Sequence, residues 1–525
     1  MSEPLDRYDA VVVGGALAGA SAALLLARKR PDARILVVEP QQAFPRKVGE
    51  ATVETSAYFL ESVLCLQEHL EAEQLPKHGL RYWFADGQPR RFAEMSEVAP
   101  RALADVPTFQ LDRSRLDEAV LAAAAEAGCE VARGAKVTGW EEGWPESRVT
   151  IAQGNGDGED GCERTVTTRW LVDGSGRHAF VARRKRLLKR TEEHPVAAMW
   201  GRWNGAADLD DADFVAATGL PPIGDGVRRR LATNHFCGYG WWAWVIPLAD
   251  GATSVGLVYH RDLYAPPGDG TPEERFRAFV AAQPGLSEIL DGAELADFNA
   301  YRHLPYVAGR YAGRGWALTG DAASFLDPYY SPGLDHLAMS VFASVELIGE
   351  DLAAAADGGG DEARLDERLE THNDHFLRSY PRWLSGLYLG KYELMGDAEL
   401  TACSYAIDTA LYYFGIVTSV YRYPESLANP TFGLSNPQSE WAWRTMRFFN
   451  RRLNRIARFR RATGSYGRKN LGWRRFGPAP GLGMKSLPML VSGIALWLRL
   501  EAGVLVRRLR HGRPDLSQPV AATTG

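Results

Sequence analysis

The chain has 525 residues, 46% of them hydrophobic and 24% charged, with a formal net charge of −5. This composition supports one large core or two to three smaller ones and excludes a disordered or fibrous chain. Its five cysteines are far apart and form no Cys-x-x-Cys pair, which argues against a disulfide framework or a zinc site, so no metal is expected and a reducing cytoplasm fits.

Met1-Ser-Glu-Pro opens the chain without a basic or cleavable apolar leader, so no export is expected. Residues Ala10-Val-Val-Val-Gly14-Gly15-Ala16-Leu17-Ala18-Gly19 read as a buried strand running into a helix. Arg34-Ile-Leu-Val-Val-Glu39 is a second strand, ending in a carboxylate twenty residues after Gly19. This is the spacing of a dinucleotide-binding βαβ unit with its ribose-binding acid. Ala16 stands where the middle glycine belongs and puts one methyl in the path of a pyrophosphate.

After Pro45-Arg46-Lys47-Val48, the Gly49-Glu50 turn either borders a bound cofactor or is a solvated loop. An apolar helix follows to about Leu70. Pro76 and Gly79 then bracket a turn, and Leu80-Arg81-Tyr82-Trp83-Phe84 reads as a strand with Lys77 at its mouth. Arg113 and Asp117 lead into an alanine-rich helix ending at Gly128, before a strand at Glu130-Val131. Gly154–Gly161 is a hairpin tip by composition. Arg169-Trp-Leu-Val-Asp173-Gly returns the chain to the nucleotide sheet.

From His194 to His260 the pattern turns to β, including Trp241-Trp242-Ala243-Trp244-Val245-Ile246-Pro247, and suggests antiparallel strands with one wet face. Trp316-Ala-Leu-Thr-Gly320-Asp321 is a strand, followed by small residues, a Pro/Gly turn over Pro328–Gly333, and a helix from about Leu334. Small residues let a backbone press against a flat ligand, helix-start amides favour negative charge, and Asp321 can accept a bond from a sugar hydroxyl.

Ala354–Asp361 is a plausible boundary, beyond which the chain is mainly helical and free of internal repeats. From Arg444 to Arg475 there are twelve Lys/Arg and no acid, interleaved with Phe448, Phe449, Phe459, Tyr466 and Trp473. Leu487–Leu498 is an apolar helix too short to cross a bilayer unless extended through Arg499 and Glu501. The region either docks on the acidic body of its own chain or receives a carrier protein or membrane surface; nucleic acid is not expected.

With the fingerprint, Arg113, Asp173-Gly174 and Gly320-Asp321 in this order, the first 350 or so residues resemble the FAD-dependent aromatic-hydroxylase-type monooxygenases. Trp242-x-Trp244-x-Ile246-Pro247 and Lys77-x-Gly79-Leu80-Arg81 narrow the resemblance to the flavin-dependent halogenases, tryptophan halogenases included. The resemblance implies an α/β fold. A Rossmann-like FAD-binding domain in two parts, 1–185 and 301–355, would carry an inserted antiparallel β substrate domain, 186–300, and a mainly helical C-terminal region, 356–525.

It implies FAD held by Gly14, Ala16, Gly19, Glu39, Glu50, Arg113, Asp321, Pro328 and Gly333. It also implies chloride or bromide as co-substrate and a partner flavin reductase, since Asp173-Gly-Ser-Gly-Arg177 departs from the longer signature of NADPH-using hydroxylases. In the implied mechanism a flavin hydroperoxide yields hypohalous acid, which reaches Lys77 beside an electron-rich aromatic, either free or carrier-tethered. Trp242, Trp244, Tyr330 and His336 complete the candidate catalytic set.

The residues themselves leave alternatives open. Lys77 also reads as a snorkelling surface lysine, Trp242 and Trp244 as sheet core, and His336 as facing a helix neighbour. Pro332 stands where halogenases carry Ser or Thr, so one halide-binding N–H is missing. A monooxygenase or dehydrogenase of the same fold, without the halide site, is the alternative.

Overall fold

The computed structural model describes residues 5–511 except 85–90, 154–161, 222, 224–225 and 359–360. The expected hairpin tip at Gly154–Gly161 lies outside the described residues.

The first sheet runs in the order Ala312–Gly313, Trp316–Leu318, Cys162–Asp173, Arg7–Val13, Ile35–Glu39, Glu130–Arg133. Its central pairings are parallel. Val11, Val12, Leu36 and Val37 are fully buried, because a parallel sheet is covered on both faces. The helices Leu17–Lys29, Arg113–Glu126 and Gly333–Ala356 pack together on one face. On the other lies the hairpin of Ala135–Glu141 and Ser147–Gln153.

The second sheet is larger than the 186–300 reading. Its order is Glu294–Leu295, Val196–Asn204, Thr253–His260, Trp241–Pro247, Thr233–Gly238, Leu80–Phe84, Ser96–Pro100, Arg474–Gly477. Two strands thus come from before residue 101 and one from the basic segment. The expectation of one wet face is corrected: both faces are covered. Tyr82, Phe84, Trp242 and Trp244 face the C-terminal helices, while Trp83, Phe236 and Val245 face the helices Pro272–Ala282 and Pro284–Ile289. The alternation is real, but it sorts residues between two cores.

The C-terminal region is helical as expected, with long helices at Glu362–Trp383, Ala398–Tyr412, Pro437–Ala462 and Leu487–His511. Two boundaries shift. The helix Gly333–Ala356 runs into the expected boundary loop before turning at Asp357-Gly358. The last helix is twice the expected length and contains both Arg499 and Glu501. Six of the twelve basic residues pair with carboxylates of the chain itself: Arg444 with Glu440, Arg452 with Glu501, Arg458 with Glu393, Arg460 with Asp397 and Glu399, Arg468 with Glu399, and Arg474 with Glu97.

Candidate functional site

At the C-terminal ends of the first sheet's strands, three glycines let two turns close on each other. A Cβ on Gly19 would lie 1.8 Å from the Gly14 carbonyl oxygen, and one on Gly174 would lie 2.6 Å from the Gly19 Cα. Gly19 therefore shapes the first βα turn from behind and does not line the cleft that the turn borders. The adjoining helix Leu17–Lys29 begins at Ala16 with no side-chain cap, so its first-turn amides are open to an anion.

That cleft has a volume of about 740 Å³ and takes in Gly14, Ala16, Glu39, Glu50, Arg113, Asp321, Pro328 and Gly333 of the sequence-predicted set. Glu39 accepts the Gly15 N–H on Oε2 at 2.7 Å and the Gln41 N–H on Oε1 at 2.8 Å, which fixes its carboxylate at the cleft wall. Arg113 is held by Asp117 through Nε and Nη2 at 3.0 and 2.9 Å and by the Val48 carbonyl at 3.3 Å. Glu50 accepts from the buried Arg202 at 2.9 Å, its Oε2 has no hydrogen-bond partner among the described residues, and burial raises its pKa.

Asp173 plays a different part. It ties its own turn together by accepting from Ser175 and from the Val181 N–H. An uncapped helix start, a fixed acid at the end of the second strand and an orphaned buried carboxylate oxygen fit a dinucleotide. Trp242 and Trp244 also stand at this cleft. Both are buried, with Trp242 Nε1 donating to the Tyr392 hydroxyl and Trp244 Nε1 to Ser254 Oγ, each at 3.0 Å.

A second cavity of about 350 Å³ contains Lys77. The turn carrying it is pinned on both sides: the Lys77 N–H donates to the Thr108 carbonyl at 2.7 Å and the His78 N–H to the Leu231 carbonyl at 2.9 Å. The strand that follows is anchored by the fully buried group Arg81, Glu97 and Arg229. Lys77 is itself buried, so the snorkelling reading does not hold. Its Nζ donates to the Thr52 carbonyl at 2.5 Å, and burial lowers its pKa to about 8.

Two acids share this cavity. Asp335 accepts from the Tyr412 hydroxyl at 2.7 Å and from the Ser56 N–H at 2.9 Å, and burial raises its pKa to about 7. Glu54 accepts from the Tyr413 hydroxyl at 2.6 Å and is also raised by burial. Tyr330 lines the wall and donates to Asp408 at 3.3 Å. Asp408 also receives the buried Lys391 Nζ at 2.8 Å. His336 lines neither cavity; its ring packs against Trp383 with centroids 5.9 Å apart, and burial lowers its pKa to about 4.

One turn separates cleft from cavity. Pro328, Ser331 and Gly333 line the cleft, while Tyr330 and Pro332 line the Lys77 cavity. Such a switch of sides within six residues needs unusual backbone: Tyr330 and Ser331 have φ of +70° and +56°, which costs non-glycine residues energy and is retained where the surroundings over-determine it. The Ser331 N–H is spent on the Pro328 carbonyl at 2.9 Å, and Pro332 caps the following helix without an N–H.

Sequence reading missed Glu54, Lys391, Asp408 and Tyr412. A signal exists for two of them: Tyr405, Asp408 and Tyr412 recur at helical spacing in the helix Ala398–Tyr412, and this stripe faces the cavity.

Residues 7–372 match the family model described as FAD binding domain. The chain is similar to the flavin-dependent halogenase chlA of Dictyostelium discoideum, with 29% identity over 385 residues, 67% of this chain and 62% of that protein. It thus spans less than two thirds of that relative. It is also similar to the flavin-dependent halogenase armH3 of Armillaria mellea, 29% identical over 420 residues that cover 76% of each. In fold it is similar to the crystal structure of halogenase PltM in complex with phloroglucinol and FAD, with a TM-score of 0.69, 18% identity, and coverage of 94% of this chain and 96% of that one.

Proposed function

The chain belongs to the FAD-binding-domain family and, within it, to the flavin-dependent halogenases, and from this membership we propose that it halogenates an electron-rich phenol in the Lys77 cavity. Glu39, Arg113 and Asp321 would hold FAD in the cleft, where it would supply the oxygen activation once reduced by a partner reductase. The observation that carries the reading is the buried pair of Lys77 and Asp335 in a small aromatic-walled cavity, one turn away from that cleft.

In this reading the protonated Lys77, positioned by the Thr52 carbonyl, donates to the oxygen of hypohalous acid and polarises its bond to the halogen. The Asp335 carboxylate accepts the phenolic proton and so raises the electron density of the ring. The ring takes the halogen as the oxygen–halogen bond breaks and water leaves; the ring proton then passes to the neutral Lys77 amine, and Asp335 returns its proton to the phenolate oxygen. Phloroglucinol, bound by PltM, is a phenol of the size that the cavity suits.

The test is a product mass from enzyme, FAD, a flavin reductase, oxygen and bromide or chloride, with phloroglucinol and with a carrier-tethered phenol as parallel substrates. A halogenated product that disappears in Lys77→Ala is expected. The missing N–H of Pro332 supports a second reading, an oxygenase without halide. Hydroxylated product, formed equally with and without halide, favours that one.

A further inference from the structure

We propose that the terminal helix Leu487–His511 is a surface anchor that lies flat on an anionic lipid bilayer. One side of the helix is docked: Met489, Leu496, Leu500 and Val504 are buried, and Gly493 packs so closely on the helix Ala398–Tyr412 that an added Cβ would lie 2.7 Å from Ile407. The opposite side is apolar and bare. Leu487, Val491, Leu498, Leu505 and Leu509 are exposed, at intervals of three or four residues or their sums, and so form one stripe along the whole helix. At its middle, Trp497 packs on the exposed Phe448 of the helix Pro437–Ala462, which also shows Trp441 to solvent.

The charges beside the stripe name its partner. Arg451 and Arg455, one and two turns beyond Phe448, and Arg499 and Arg508 on the helix itself have no carboxylate partner among the described residues. An apolar stripe flanked by unpaired arginines fits the boundary between acyl chains and anionic headgroups. A second copy fits poorly, because pairing two such stripes would bring the same arginines together. By length and composition this helix could cross a bilayer, and it is the one such helix among the described residues. Its docked leucines and the Arg452–Glu501 pair hold it lengthwise on the protein instead.

The anchor adjoins the entrance of the Lys77 cavity. Pro480 and the exposed Leu103 line that cavity, and Lys485, just before the helix, pairs with Asp105, which also lines it. An anchored enzyme would therefore open its cavity toward the lipid, where an apolar phenol partitions; this last step rests on the proposed function, whereas the anchoring does not.

Flotation of the full-length protein with vesicles tests it, using phosphatidylcholine alone and phosphatidylcholine with about one third phosphatidylglycerol. Co-flotation with the anionic vesicles at low salt is expected, with a loss of about fivefold or more in Val491→Asp/Leu498→Asp and a weaker, salt-like loss in Arg451→Gln/Arg455→Gln. Both variants should halogenate soluble phloroglucinol as the parent does. The proposal is overturned if the parent does not float with anionic vesicles or if the stripe variant floats equally well. It is also overturned if light scattering shows a dimer that Leu498→Asp dissolves, since a second copy then covers the stripe.

Discussion

Burial draws the Lys77 ammonium down to about 8, while the nearby Glu54 and Asp335 carboxyls work against that shift. A folded-state pKa below the usual 10.5 means that the folded protein prefers the neutral amine. The lysine's contribution to stability is present above 10.5 and lost as pH falls through about 8, so at neutral pH its charge destabilises the fold. Lys77→Met should therefore abolish product and raise stability at pH 7 by on the order of 1–3 kcal/mol, seen as a higher unfolding midpoint. A variant that loses both would make the lysine a structural tie to Thr52.

Asp335 shifts the other way, upward to about 7, because burial outweighs the bonds from Tyr412 and Ser56. If the reaction needs the carboxylate and the ammonium together, kcat/KM rises through about 7 and falls through about 8. Asp335→Asn should remove the acid limb and leave the alkaline one. A profile unchanged by this variant would take the base role from Asp335. Of the residues in this cavity, Lys77 was legible only through the resemblance of Lys77-x-Gly79-Leu80-Arg81 to a halogenase segment, since by itself a lysine beside aromatics reads equally as a snorkelling surface residue. Glu54 was not, since it is buried by a segment that lies far away along the chain.

Among the elements, the turn Pro328–Gly333 carries the most consequence for halide. Pro332→Thr supplies an N–H at the start of the 24-residue helix Gly333–Ala356, where the dipole favours an anion. Its φ of −76° suits threonine, and the halide concentration for half-maximal rate should fall by about 2- to 10-fold. An unchanged halide dependence would place the halide away from this turn. The nucleotide-binding strands were readable because continuous apolar runs ending in Gly14 and Glu39 at this spacing seldom build anything but a βαβ unit. The second sheet was misread as half-wet because period-two alternation shows that two faces differ, not what covers each. Leu487–His511 was cut short because the charges at Arg499 and Glu501 read as a stop, whereas Glu501 is satisfied by Arg452 from the neighbouring helix.

At the scale of the whole molecule, cleft and cavity are separate spaces that share the turn Pro328–Gly333 as a common wall. The order of the nucleotide-binding segments could be read from motifs. The roof of the cavity could not, because the stripe of Tyr405, Asp408 and Tyr412 shows a polar helix face without showing which cavity that face covers.

The strand Arg474–Gly477 has a further consequence, for how the protein is made. It pairs in parallel with Glu97–Pro100, nearly four hundred residues earlier, and closes the edge of the sheet that follows Lys77. A ribosome releases Leu80–Phe84 and Ser96–Pro100 long before their last neighbour exists, so during synthesis this edge stays open to any passing strand. A chain stopped after Trp473 never closes it and leaves Glu97 without Arg474. Such a fragment should accumulate in the insoluble fraction on expression, while the full chain stays soluble. The strand Arg474–Gly477 would then act as a checkpoint, because the second sheet cannot be finished until this segment has been translated.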